Sequence, residues 1–496
     1  MMKMRRNGRR TRTTIRLMVA SVVLIAGLGL GVTSYERSGL VLPGLEWNGV
    51  CAADFAFVTT TDYTTGASSV IRLDGSYSVD RNVAALHSDA VARYYDHKVF
   101  VVNRYLGDNI QILDPASSFS TLRQFTVGTS SDPHDIAVLS DTKAYVTRYN
   151  ESVLWIVDPS TGAQTGSVDL SGLADGDGTP EMDQMAVVGG RVFVTIQRLD
   201  RSTTWGPVGD SYVAVIDAAA DTLVDVDSVT AGNQSILLAG SNPASDIQLD
   251  PCAGKLYVSC VGFWGLQDGG VEVIDPSTLQ SEGFLFTEAS AGGDVNDVEI
   301  VCAEKGYAII TDASFNTSLI AFDPATGTKT GILYAPGDFV LNDIEVSPQR
   351  ELFLADRTAT RPGIRIYSTI TDDEITVNPI DVGLPPFDIS FSAATQTGLD
   401  THTPGPASLG HNYPNPFNPQ TTIPFTLDRA AVVEVSIFDA SGRHVRGLLN
   451  EFRAPGPNTI VWDGRDDMAR PVSSGVYFAR MKAGGHTATR KLVLIK

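Results

Sequence analysis

Between residues 54 and 395 the chain repeats one short pattern seven times, and no other feature restricts its fold so strongly. One anchor is an apolar strand ending in Asp and a turn: Ile71-Arg72-Leu73-Asp74, Ile112-Leu113-Asp114, Ile156-Val157-Asp158, Val215-Ile216-Asp217, Val273-Ile274-Asp275 and Ala321-Phe322-Asp323. Ile364-Arg365-Ile366-Tyr367 is a degenerate seventh, and the intervals are 40, 44, 59, 58, 48 and 44 residues. Several anchors continue into Pro and Gly, which preset a tight turn. A second anchor precedes each strand, an Asp followed by alternating apolar residues: Asp89, Asp135, Asp183, Asp246, Asp297, Asp343 and Asp388. Between the two lies a third strand pattern, as in Ala144-Tyr145-Val146-Thr147 and Leu256-Tyr257-Val258-Ser259.

Three clear strands and a weaker fourth in roughly 49 residues predict a four-stranded antiparallel blade, repeated radially so that its edges are hidden. The first repeat starts at its second strand, Phe55-Ala56-Phe57-Val58, and the surplus inner strand comes last, Phe387-Asp388-Ile389-Ser390-Phe391. The expectation is an all-β chain whose residues 54–395 form a seven-bladed β-propeller, closed by pairing its two ends. The Asp-Pro-Ser-Thr-Gly and Lys-x-Tyr-Val-Thr/Ser cadence resembles the YVTN-type propellers of bacterial surface-layer and related exported proteins. That resemblance implies an architecture rather than an activity, because such propellers host binding proteins and enzymes alike.

Residues 396–407 read as a Pro/Gly-rich linker, and residues 408–496 follow another pattern. Asn412-Tyr413-Pro414-Asn415-Pro416-Phe417-Asn418-Pro419 excludes helix, and five strand-like segments with turn signals then predict a small β-sandwich. The ordered set of that motif, Phe438 to Arg443, Trp462-Asp463-Gly464-Arg465-Asp466, Ser474-Gly475-Val476-Tyr477 and terminal Lys491 to Lys496 is similar to the C-terminal sorting domain of type IX secretion cargo. It is similar also to the Ig-like domain of the flagellar hook-capping protein. The resemblance implies the secretion machinery as a partner. At the other end, seven Lys and Arg residues precede the apolar run Leu17 to Val32, so residues 1–34 are expected to be an export signal or N-terminal anchor, with 35–53 a linker.

The net charge is −20, and without those seven basic residues the remainder carries 30 basic against 57 acidic groups. Such a body repels phosphate backbones, which excludes nucleic acid as a partner. Hydrophobic content of 43% and charged content of 19% exclude a disordered chain or a coiled coil. Four cysteines are too few for a disulfide framework, leaving open one bridge among Cys252, Cys260 and Cys302.

Motifs that would fix a chemistry are few. The sequence has no phosphate loop, no His-Glu-x-x-His and no Gly-x-Ser-x-Gly. His87 and His134 stand beside anchor Asp residues and are the candidate catalytic bases. The seven anchor Asp residues predict a carboxylate ring at the channel mouth. It would either hold a cation or, as a repeating structural device, accept backbone amides from the next blade. Asp175 and Asp177 are candidate Ca2+ ligands, although Ala186 stands where a calcium loop needs Glu; no other cofactor is expected. Three long connections, Ser171 to Met182, Gln197 to Asp210 and Val261 to Gly270, emerge on one face of the fourth and fifth repeats. They carry Trp205, Phe263 and Trp264 with Arg198, Asp200 and Arg201, the makings of a recognition surface. The leading expectation is an exported or cell-surface protein that binds an extracellular glycan, peptide or protein. The alternatives are an extracellular lyase or hydrolase on that loop-rich face and a structural surface-layer component.

Overall fold

The computed structural model describes residues 55–250, 253–301, 305–392 and, with short interruptions, 407–495. The expected export signal, the 35–53 linker, the 396–407 linker except Ala407, and Cys252 and Cys302 lie outside the described residues; Ala407 instead opens the strand Ala407–Leu409. Contacts divide the chain into two compact units, with the break between residues 398 and 399.

The first unit is a β-propeller. Seven antiparallel sheets follow one another, and their inner strands are Pro386–Phe391, Ala90–Tyr95, Pro133–Ser140, Met182–Val188, Gln248–Asp250, Asp294–Val301 and Leu341–Val346. Each inner strand touches the next in that order, and Leu341–Val346 returns to Pro386–Phe391. The first sheet joins the two ends of the unit: Ala56 pairs with Phe391, Val58 with Ile389 and Thr59 with Asp388. The seventh sheet has three regular strands, and single bridges from Ile364 to Ile380 and from Tyr367 to Glu374 mark its outer edge.

The Asp that ends each third strand recurs for a local reason. Its carboxylate accepts amides of the turn it begins, as at Asp158 from Ser160 (2.8 Å), Asp217 from Ala219 (2.8 Å), Asp275 from Ser277 (2.8 Å) and Asp323 from Ala325 (2.8 Å). The alternating residues behind it pack between neighbouring sheets. Phe100, Ile112, Val138 and Val146, for instance, form one cluster between the second and third sheets. Cys260 is buried with a free thiol, which burial and the nearby Glu272 push well above its ordinary pKa.

The second unit consists of a three-stranded and a four-stranded sheet sharing one core around fully buried Trp462. The Trp462 ring meets Tyr477 at 5.1 Å and Phe417 at 5.4 Å between centroids, and its Nε1 donates to the Arg465 carbonyl. Asn415 and Phe417 hold the last strand: Val493 N donates to Asn415 Oδ1 (2.8 Å) and Phe417 N to the Val493 carbonyl (2.9 Å). The Asn-Pro-Phe motif thus clamps the C-terminal strand His486–Leu494.

Candidate functional site

Register decides which residues reach the channel. Ile136 pairs with Val146, Val298 with Ala308, Ile344 with Leu354 and Ile389 with Val58, so the preceding Asp135, Asp297, Asp343 and Asp388 occupy one equivalent position. Gln248 opposite Tyr257 gives Asp246 the same position in the fifth sheet. In the second sheet Ala92 pairs with Val101, which puts Val91 there. In the fourth, an irregularity between Met182 and Met185 puts Gln184 there. The expected ring of seven carboxylates is therefore a ring of five. Asp89 and Asp183 lie outside it, displaced along their strands by register.

Four of the five carboxylates are staples between sheets. Asp135 Oδ2 accepts Met185 N (2.8 Å), Asp297 Oδ2 accepts Ile344 N (3.0 Å), Asp343 Oδ2 accepts Ile389 N (2.7 Å) and Asp388 Oδ2 accepts Ala92 N (2.8 Å). Two residues further along the strand the device recurs with an amide, as Gln248 Oε1 accepts Ile300 N (2.7 Å). Burial raises the Asp297, Asp343, Glu299 and Glu345 carboxyls well above the usual range, and neighbouring carboxylates add to it. Among the described residues one guanidinium bridges three of the ring carboxylates. The Arg93 guanidinium meets Asp135 at 2.9 Å, Asp246 at 3.3 Å and Asp388 at 3.4 Å, and donates to Gln184 Oε1 at 2.9 Å. Burial still lifts Asp388 to about 7 against the pull of Arg93.

Above this layer a polar cluster sits beside the channel mouth. His134 Nδ1 lies 2.7 Å from Asp183 Oδ1, and its Nε2 lies 3.8 Å from Asp132. The imidazole stacks on Tyr149 with centroids 4.1 Å apart and planes 7° from parallel. The Tyr149 hydroxyl donates to Gln197 Oε1 (2.6 Å), and Gln197 Nε2 donates to Asp183 Oδ2 (2.7 Å), closing a loop of contacts. Arg104 Nε donates to Asp89 Oδ1 (2.9 Å), while His87 Nδ1 accepts the Asp89 amide (3.2 Å). His87 is thus tied to backbone, whereas His134 is held between two carboxylates, a geometry that can carry a proton or bond a ligand.

The long connection Gln197 to Asp210 reaches this cluster. Arg201 lies over Tyr149 (5.4 Å) and Trp205 (5.8 Å), 3.7 Å from Glu181, and donates to Asn150. Glu181 is fully buried and fastens the connection by accepting Leu199 N (3.0 Å) and the Thr179 hydroxyl (2.6 Å); burial pushes its carboxyl up to about 7. Glu288 does the same for the connection Val261 to Gly270, accepting Gly269 N (2.8 Å) and Val295 N (3.1 Å), with its carboxyl pushed up to about 8.

Other expected site residues are spent locally. Asp200 accepts the amides and hydroxyls of Ser202 and Thr203, which hold its carboxyl below the usual range. Arg198 donates to the Asp210 carbonyl (2.9 Å) and lies over Tyr212. Phe263 lies against Gly206 of the neighbouring long connection, so closely that an added Cβ there would sit 2.0 Å from the ring. Trp264 meets Phe339 edge-on at 6.3 Å instead, so the structure does not bring the three aromatics into one contact. Asp175 accepts Asp177 N and Asp177 accepts Thr179 N, each shaping its own turn. Among the described residues no three His, Cys, Asp or Glu side chains converge as a metal would need. Sequence reasoning passed over Arg93, Arg104, Tyr149, Glu181 and Gln197. A lone Arg on an inner strand and a Tyr opening the second-to-third-strand connection were the signals for two of them.

Residues 411–496 match the family model described as the secretion system C-terminal sorting domain. That domain marks proteins exported by type IX secretion, so this chain is delivered to the cell surface or medium and meets the secretion machinery through its C-terminal unit. No curated protein matches the sequence. Among solved structures, the chain is similar to a putative 6-phosphogluconolactonase from Bacteroides uniformis (13% identity, TM-score 0.49, covering 68% of this chain and 100% of that one). It is also similar to a putative 6-phosphogluconolactonase from Bacteroides fragilis (12%, 0.48, 69% and 99%) and to apo AztD from Citrobacter koseri (13%, 0.42, 68% and 97%).

Proposed function

We propose that this chain is an exported binding protein: a YVTN-type, seven-bladed propeller that takes a ligand on its loop-rich face, led by the export signal of residues 1–34 and tagged by an Ig-like sorting domain. One observation carries the reading. Arg201, on a connection far longer than a scaffold blade needs, is laid over Tyr149 and Trp205 and so joins that connection to the His134–Asp183 pair at the channel mouth. A rigid, mutually bonded polar cluster beside a half-buried tryptophan suits recognition. Replacing Trp205 and Trp264 together with Ala should abolish binding found in a glycan, peptide and metal screen while leaving the melting temperature nearly unchanged. Undiminished binding, or an unfolded propeller, would exclude these tryptophans from the site.

A second reading rests on His134 itself. Hydrogen-bonded to Asp183 and facing Asp132, it has the partners of a general base, which suits a lyase or hydrolase. Turnover of a screened ligand that His134→Gln eliminates and Trp205→Ala spares would favour this reading over simple binding.

A further inference from the structure

Exposed aromatic side chains are distributed very unevenly. Among the described residues, the aromatic rings left substantially in solvent are Tyr63 (51% exposed), Tyr105 (47%), Phe263 (39%), Phe315 (43%) and Phe339 (45%). Tyr63, Tyr105, Phe263 and Phe315 lie between second and third strands of the first, second, fifth and sixth sheets, and Phe339 leads into the inner strand of the seventh. In an up-and-down blade both kinds of connection emerge at the same end, so all five rings crown one face, the face of His134 and Arg201. Phe263 lies against Gly206, Phe339 meets Trp264 and Arg357 lies over Tyr63 at 4.6 Å, yet every one of the five rings keeps a large share of its surface in water, and exposed rings gathered on one face mark an interaction site.

Charge decides what covers it. Every one of these rings shares its connection with a carboxylate. Asp62 accepts Thr64 N (2.9 Å) and Thr65 N (2.7 Å) beside Tyr63, and Asp312 accepts Ser314 N (2.8 Å) beside Phe315. Asp268 accepts Phe263 N (2.9 Å), Asp338 accepts Phe339 N (2.9 Å), and Asp108, past Tyr105, accepts Ser130 N (2.7 Å). At Asp62 and Asp312 such bonds hold the carboxyl below the usual carboxylate range, Thr64 and Asn316 giving the largest contributions. The arginines of this face have partners within the unit: Arg104 with Asp89, Arg148 with the Val127 carbonyl, Arg198 with the Asp210 carbonyl, Arg201 with Glu181, Arg357 with the carbonyls of Thr61 and Pro386, and the exposed Arg361 with Asn378. All five lysines of residues 54–395, Lys98, Lys143, Lys255, Lys305 and Lys329, begin second or outer strands and therefore stand at the opposite end. Residues 54–395 hold 18 Lys and Arg against 47 Asp and Glu, a net −29.

We propose that the crowned face docks a lysine- and arginine-rich peptide segment of a partner protein. Its ammonium and guanidinium groups lie over the exposed rings and between the fixed carboxylates, and its aliphatic stems cover the apolar surface. This rests on the binding reading above and names the chemistry of the partner.

The test uses the full chain with three probes: deca-lysine, deca-glutamate and a neutral cello-oligosaccharide, measured by calorimetry at low and high salt. Deca-lysine alone should bind, and raising the salt about tenfold should weaken it by about an order of magnitude or more. The double variant Tyr105→Ala/Phe315→Ala leaves net charge untouched and both positions are exposed, yet it should bind deca-lysine at least about fivefold more weakly. Ile370→Ala, 87% exposed in a third-to-fourth-strand turn at the opposite end, is the matched control and should bind as the parent does. Deca-lysine held equally by parent and double variant would mean diffuse attraction to an acidic protein and overturn the docking face. Oligosaccharide binding that Trp205→Ala/Trp264→Ala removes, with deca-lysine inert, would overturn the cationic partner while leaving the binding reading intact. Failure of all three probes, together with no hit in the wider screen, would remove both.

Discussion

Among the described residues Arg93 is the only Lys or Arg bonded to the inner-strand ring carboxylates of the propeller channel, and removing it is the most direct test of how that channel is held. In Arg93→Met the stem volume remains, while Asp135, Asp246 and Asp388 lose their shared partner. Breaking a buried ion pair from one side costs about 3–5 kcal/mol, and the guanidinium is still partly open to water, so about 3 kcal/mol is the expected loss. Unfolding entropy of about 2.1 cal/mol/K per residue over about 340 residues gives about 0.7 kcal/mol/K, hence a fall in Tm of about 4 °C near pH 8. The loss should depend on pH in a definite direction. Burial already raises Asp388 to about 7, above its unfolded value near 3.8, so the folded state binds more protons and stability falls as pH rises through that window. Without Arg93 the Asp388 and Asp135 carboxyls move higher still, which steepens the fall. Calorimetry of parent and variant from pH 5 to 8.5 should show the gap narrowing toward the acid end, where Asp388 is neutral. A gap that is constant with pH, or that widens in acid, would refute the assignment of Arg93 as the charge that holds the channel.

Asp343→Asn retains an acceptor for Ile389 N but cannot ionise, so it should flatten the alkaline fall in stability seen by the same titration. Glu288, with a folded value of about 8 against 4.5 in the open chain, stabilises most below that lower value and loses its contribution as pH rises through 8. Hydrogen exchange at the Gly269 and Val295 amides should therefore accelerate between pH 6.5 and 8.5 beyond the intrinsic base-catalysed increase, and Glu288→Gln should remove that excess. Trp462→Ala should cost the C-terminal unit about 3–5 kcal/mol, and a separate calorimetric transition should move while the propeller transition stays in place.

The fold was readable because its repeating residues do repeating physical work. Asp158, Asp217, Asp275 and Asp323 recur since each nucleates the same turn, and the surplus strand around Asp388 is visible because the first repeat lacks one. Register was not readable to the last residue. Asp183 and Gln184 are adjacent, and only the irregularity after Met182 decides that the amide, rather than the carboxylate, takes the ring position. Asp89 misled in the same way, two residues ahead of Val91. The candidate site was less visible still, because its parts come from different repeats: His134 from one inner strand, Asp183 from the next, Tyr149 and Gln197 from two connections. Tyr63, Tyr105, Tyr149, Phe263 and Phe315 do recur in corresponding connections, a signal that becomes apparent when loops are compared repeat by repeat as strands are.

The seam in the first sheet has a kinetic meaning. Phe55 N donates to Ser392 Oγ across 337 residues, so the bonds that finish the ring belong to the longest loop the unit can make. Closing a loop of that length is entropically slow, and until it closes, Phe55–Thr61 and Leu341–Val346 each lack a neighbour. A chain halted before Pro386 would carry six sheets able to form and a seventh side left open, an edge ready to pair with another copy. The sorting unit lies beyond that last strand. A molecule bearing the export tag has therefore already been given the strand that seals it, whereas an unfinished ring has neither.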